Sequence, residues 1–175
     1  AAEWLACADA IIVGSGAGMG IDSGLSAARN ACSWPGLQDL NLGYEDMCQS
    51  KWFAEDPRLA WGFWSHAVRS YQAAKPHAGY RLALEWAQSA ALGFFSLTSN
   101  IDGHWQASDW DQDRIVEFHG AVGWLQCSKP CCPKVWEAEA VPDRGEAGLP
   151  ERAAEEGEDK ASLHRVQGEL PTCQS

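Results

Sequence analysis

The sequence predicts an α/β protein built on a parallel sheet, and three observations carry that expectation. Short apolar runs rich in β-branched and aromatic residues recur at Asp9–Gly14, Leu92–Thr98 and Arg114–Phe118. Helical periodicity fills the interval between the first two, and each run ends in a polar turn that contains glycine. Strands separated by helices pair in parallel through crossovers, and such sheets collect ligands at the carboxyl ends of their strands.

The elements follow in order. Asp9–Gly14 (DAIIVG) reads as a buried strand, and Gly14–Gly24 (GSGAGMGIDSG) as a glycine-dense turn leaving it. Arg29 to Trp52 has no clean period and is read as irregular, with room for one short helix. Asp56 precedes Pro57 as a capping residue before a proline suited to a first helical turn. Ala60, Trp64, Ala67, Val68 and Tyr71 then recur at helical spacing, giving a helix over about 57–74. Pro76 opens a second helix with Tyr80, Ala83, Leu84 and Ala87 on one stripe, widened by Leu82 and Trp86. Leu92–Thr98 and Arg114–Phe118 are the second and third strands, and Ala121–Cys127 alternates well enough for a further one. Beyond Pro133 the chain turns rich in Glu, Ala, Gly and Pro and is read as a mobile insertion.

Composition narrows the function classes. The 175 residues suffice for about one domain, and 46% hydrophobic with 21% charged residues is a globular balance. A net charge of −11 repels a phosphate backbone, which excludes nucleic acid as the expected partner. More than half of that charge sits in Glu137–Lys160, read as a solvated loop. No apolar run approaches the roughly 20 residues of a membrane-spanning helix, so no membrane association is expected. Seven cysteines form an odd set with no secretory leader before them, which favours an intracellular, reducing compartment. Nothing in the sequence sets the oligomeric state.

The candidate chemistry lies in the turns. Glycine after a strand lets backbone N–H groups approach a phosphate closely, but Gly14, Gly16, Gly18 and Gly20 do not satisfy the G-x-G-x-x-G dinucleotide fingerprint. An ordinary Rossmann oxidoreductase therefore ranks last. His119, between a strand and Gly120, has the ring chemistry of a general base near neutral pH; its bland alternative is a strand-end histidine with a satisfied hydrogen bond. Asn100 and Asp102 are turn formers in isolation. Cys127, Cys131 and Cys132 fit a thiolate metal site that lacks a second pair, with Cys173 as the available addition. Cys7, Cys32 and Cys48 are expected to be buried free thiols. Most tryptophans are expected in the core, with Trp105 and Trp124 bordering a pocket.

Taken together these motifs resemble the sirtuins, the NAD-dependent protein deacylases, in a divergent bacterial-type branch. Gly16-Ala17-Gly18-Met19-Gly20-Ile21-Asp22-Ser23-Gly24 through Arg29 is similar to the family's opening G-A-G-x-S-x-x-S-G-I-P-D-F-R. Thr98-Ser99-Asn100-Ile101-Asp102-Gly103 is similar to T-Q-N-I-D-G, and Glu117-Phe118-His119-Gly120 to E-L-H-G. The resemblance runs from about 10 to 132. It implies a partial Rossmann-like parallel sheet with helices on both faces over 1–126, and a small, incomplete zinc-ribbon module with an acidic insertion over 127–175.

The resemblance also implies NAD and zinc as cofactors and an acyl-lysine protein or peptide as substrate. The acyl group is transferred to ADP-ribose and nicotinamide is released. By the same resemblance His119 is the base, with Asn100 and Asp102 orienting ribose and carboxamide. Gly16, Ala17, Gly18, Met19, Ser23, Gly24, Arg29, Ser99 and Ile101 complete the NAD site, and Cys127, Cys131 and Cys173 hold zinc, with Cys132 competing with Cys131. The family's P-D-F is Ser26-Ala27-Ala28 here, and Ser99 stands for its glutamine. A pocket so altered would admit water, so NAD glycohydrolysis or mono-ADP-ribosyl transfer is the enzymatic alternative. A catalytically inactive zinc-binding homologue is the other. The family's later motifs have no counterpart before Ser175, and position 1 is Ala. The expectation is a C-terminally truncated fragment that binds NAD poorly by itself.

Overall fold

The computed structural model describes residues 1–25, 34–129, 131–138, 161 and 164–173. Its elements run α1 (Ala2–Ala6), β1 (Ile11–Ser15), a 3-10 helix (Ala17–Ser23), α2 (Gly36–Asp39), α3 (Tyr44–Met47), α4 (Trp52–Glu55), α5 (Pro57–Ala73) and α6 (Ala78–Ala87). β2 (Phe94–Thr98), two further 3-10 turns (Gln106–Ser108 and Gln112–Arg114), β3 (Ile115–Glu117), β4 (Trp124–Gln126) and β5 (Val135–Glu137) follow.

β1, β2 and β3 form a parallel sheet in that order, as the α/β pattern requires. Ile11 pairs with Phe94 and Ser15 with Thr98, while Thr98 also pairs with Glu117. Among the described residues, one layer of side chains packs against this sheet. Tyr80, Leu84 and Ala87 of α6 join Ile11, Ala90, Trp105 and Trp110 in a single buried cluster, with Phe94 and Ile115 at its margin. Ile12, Leu97 and Val116 alternate away from that cluster and are exposed. Trp105 is only 1% exposed, so it is a core residue and not the pocket wall expected from the sequence. Its indole meets Trp110 and Tyr80 edge to face at 4.7 and 4.8 Å.

Two compact units divide the chain: Ala1–Ala27 with Tyr71–Val122, and Ala28–Ser70 with Gly123–Ser175. The sequence reading instead divides it consecutively at 126. The interleaving has a local cause in the second unit, where the 164–166 segment pairs with the start of α5. Val166 N–H donates to the Arg58 carbonyl, and the Arg58 guanidinium returns a bond to the Val166 carbonyl. Arg165 pairs with Asp56, whose other carboxylate oxygen caps α5 at the Leu59 N–H as its sequence position predicts. A hydrophobic cluster of Trp34, Met47, Leu59 and Phe63 fills this unit's core. Beside it the fully buried His164 ring binds the Asp39 carboxylate at 2.6 Å.

Three sequence expectations change here. β4 and β5 form an antiparallel pair, so Val135–Glu137 is strand where a mobile insertion was expected. Cys7 and Cys48 are free but exposed, not buried, and Cys32 lies outside the described residues. Trp4, Trp86 and Trp124 are also exposed, which trims the expected tryptophan core.

Candidate active site and thiolate cluster

The register of the parallel sheet determines the site. Because Ser15, Thr98 and Glu117 are level across β1, β2 and β3, the segments that follow leave from one edge. Those segments are the glycine turn, the Ser99–Gly103 turn and His119-Gly120.

Gly16 has an extended backbone and opens the 3-10 helix, where its carbonyl accepts the Met19 N–H at 2.8 Å. A Cβ at Gly16 would stand 3.3 Å from Ser99 Oγ, and one at Gly20 would stand 3.7 Å from Asp102 Oδ2. The turn after β1 and the turn after β2 are therefore neighbours. Gly24 ends the helix in the left-handed region at φ +85°, a conformation that glycine adopts without strain. Arg29 and the Ser26–Ala28 replacement lie outside the described residues.

On the second turn, Asn100 is 9% exposed and its Nδ2 has no partner among the described residues. Asp102 Oδ1 accepts the His104 N–H at 2.9 Å, the local bond that shapes an Asp turn. The Ile101 carbonyl accepts the Val122 N–H, which joins this turn to the chain just after His119. His119 itself is exposed, with its ring edge to face against Phe118 at 4.7 Å. Gly120 turns the backbone at φ +83° and donates to the Glu117 carbonyl. Burial raises the Glu117 carboxyl above its ordinary range. A bond from the Gln106 side chain opposes the rise, the Asp102 charge adds to it, and the Gly103 backbone opposes it again. Tyr80 is likewise raised, first by burial and then by Asp102.

Sequence reasoning missed His77. Its Nε2 bonds the Met19 carbonyl at 2.9 Å, its Nδ1 accepts the Gly79 N–H, and its backbone N–H donates to Ser23 Oγ at 3.0 Å. The Met19 carbonyl and the Ser23 hydroxyl are thereby engaged inside the protein. The available signal was Pro76, which marks a helix start but says nothing of an imidazole acting as the cap.

In the second unit, Cys127, Cys131 and Cys173 place their Sγ atoms within 4.8 Å of one another. The Cys127 to Cys131 and Cys131 to Cys173 separations are 3.0 and 3.4 Å. Tetrahedral zinc, with bonds of about 2.3 Å, needs thiolates just under 4 Å apart, so this set fits a metal ion. Cys131 belongs to the mutually close set, while Cys132 approaches Cys173 at 3.5 Å. Hydrogen bonding with Cys127 and then with Cys173 pushes the Cys131 thiol up to about 12.

The fold and site thus define an α/β protein whose glycine turn, Ser99–Gly103 turn and His119-Gly120 leave one edge of a parallel sheet, with a thiolate cluster able to hold a metal. No family model matches the chain. It is 30% identical over 127 residues to NAD-dependent protein deacylase 2 of Pseudomonas aeruginosa, covering 72% of this chain and 49% of that one. It is 28% identical over 136 residues to a Fusarium oxysporum protein named for ADP-ribose hydrolase and ADP-ribosyltransferase activity, covering 75% and 22%. A solved Sir2 homolog–NAD complex superposes with a TM-score of 0.66 at 18% identity, over 81% of this chain and 52% of that one. The chain belongs to the sirtuin family. It spans about half the length of the Pseudomonas relative and of the solved neighbour.

Proposed function

We propose that this chain carries the NAD-binding edge and the zinc module of an NAD-dependent protein lysine deacylase. The observation that supports it most is the level register of Ser15, Thr98 and Glu117, which sends all three family-like turns to one edge of the sheet. Bound there, NAD would supply an electrophilic ribose carbon to an acyl oxygen, with nicotinamide as the leaving group.

The residues divide the remaining work. The Ala17 and Gly18 N–H groups, at the open end of the 3-10 helix beside Gly16, would hold a diphosphate. Asp102 keeps Oδ2 free of the turn bond made by Oδ1 and accepts an amide N–H, while the unpartnered Asn100 Nδ2 donates to a ribose or carboxamide oxygen. Exposed His119 accepts the proton of a ribose hydroxyl through a ring nitrogen. Met19, Ser23, Gly24, Ser99 and Ile101 shape the pocket through their backbone. Cys127, Cys131 and Cys173 would hold zinc as a structural ion, with no part in the chemistry. The substrate is an acylated lysine on a protein or peptide, and the free thiols suit a reducing compartment.

A second reading, NAD hydrolysis or ADP-ribosyl transfer, is favoured by Ser99 in place of glutamine, and its transfer half by the name of the Fusarium relative. The two separate by product. Nicotinamide release from NAD that depends on an acetyl-lysine peptide and yields O-acetyl-ADP-ribose supports deacylation. Peptide-independent release yielding free ADP-ribose supports the second reading, and no release under either condition at saturating NAD sinks both.

A further inference from the structure

Four hydrogen bonds at the ends of β1 and β2 have a forced direction. Trp105 Nε1 can only donate, and it lies 2.9 Å from Ser15 Oγ. The Asn100 N–H can only donate, and it reaches Thr98 Oγ1 at 3.0 Å. The Ser15 carbonyl can only accept, and Thr98 Oγ1 is 3.4 Å from it. Thr98 therefore spends its single hydroxyl proton on that carbonyl. The 2.9 Å bond between the two hydroxyls must then run from Ser15 to Thr98. Thr98 ends with one bond donated and two accepted, the full capacity of a hydroxyl, inside a site where it is 0% exposed.

This knot grips the catalytic turn at both ends. Asn100 is held near its start and Trp105 just past its finish, so the segment bearing Asn100 and Asp102 is pinned to two adjacent strand ends. Ser15 also immediately precedes Gly16, whose Cα faces Ser99. Buried hydrogen bonds of this kind are costly to leave half made, which gives the turn one geometry before any ligand arrives.

We propose that Thr98 and Ser15 are positioning residues for Asn100 and Asp102, acting through this hydroxyl pair to preset the site. The inference rests on the proposed function for its kinetic consequence but not for its structural one. Its test compares Thr98→Val, which keeps the β-branched shape and deletes the hydroxyl, with Thr98→Ser, which keeps the hydroxyl. Hydrogen exchange at the Asn100 amide and the Trp105 indole N–H is read by NMR in the whole chain without ligand. Protection of both in the native protein is expected. Thr98→Val should speed Asn100 exchange about tenfold, and Thr98→Ser should restore it to within about twofold. Nicotinamide release should fall about tenfold in kcat with KM for NAD little changed, because the turn is misplaced while the binding edge persists. Unprotected Asn100 and Trp105 N–H groups in the native chain overturn the proposal even if Thr98→Val does not fold. So does a Thr98→Ser variant as impaired as Thr98→Val. Absent nicotinamide release in the native chain refutes the functional reading and leaves the exchange result to judge the pin.

Discussion

Both compact units combine strand pairing with single side-chain links, but the two kinds of contact carry different weight in each. In the first, the site is organised by strand pairing, and the residues that matter lie at the ends of β1, β2 and β3 or within a few positions of them. In the second, single side chains reach across large sequence separations, as from Asp39 to His164 and from Asp56 to Arg165. Regular pairing leaves a period in the sequence, whereas a lone carboxylate meeting a lone imidazole leaves none. The lesson is that the first unit should be robust to changes at exposed functional residues, and the second sensitive at isolated points with no visible motif.

The largest effect expected from that contrast is functional. His119→Ala removes an exposed ring that no core contact depends on, so nicotinamide release should fall by roughly 100-fold or more with the unfolding midpoint unchanged. A lowered midpoint would show that His119 supports the fold. Next comes Gly62→Ala in the second unit. A Cβ there would collide with the His164 carbonyl oxygen, which is backbone and cannot swing aside. A loss of about 3 kcal/mol by denaturant unfolding is expected, and a near-neutral variant would break the picture of point-like sensitivity.

The smallest effect is a pH dependence in the first unit. Because the fold raises the Glu117 carboxyl, its protonated form is favoured in the native state. That contribution is fully present below the ordinary carboxyl range near about 4.3 and is lost as pH rises through the raised value. Glu117→Gln mimics the neutral form without titrating. It should raise the thermal midpoint slightly at neutral pH, by about 1 to 2 °C, with the gap closing as pH falls toward 4. An equal gap at both pH values would show that the effect is packing and not charge.

Legibility in the sequence followed the same division. The β-branched runs and the Asp56-Pro57 start were readable because local sterics and capping chemistry decide them. β1 and β2 each begin two residues later than their apolar runs, since pairing with a neighbour sets where a strand starts. The three short helices between 36 and 55 were not readable as such, because four residues cannot display a helical period. Trp105 was misplaced because indole size suggests a pocket wall as readily as a core. Its ring contacts with Tyr80 and Trp110 and its hydrogen bond to Ser15 show why it is buried. The candidate site residues come from motif wording, and Thr98 and Glu117 open two of those motifs, but their hydrogen bonding and burial, like the contacts of His77, are geometry that wording does not encode.

His77 joins two segments whose sequence positions lie more than fifty residues apart. Since Nδ1 must present a lone pair to Gly79, the ring proton is assigned to Nε2 and is donated to the Met19 carbonyl. A single neutral tautomer thus rivets the beginning of α6 to the bend after β1. Neither segment can shift without releasing the other.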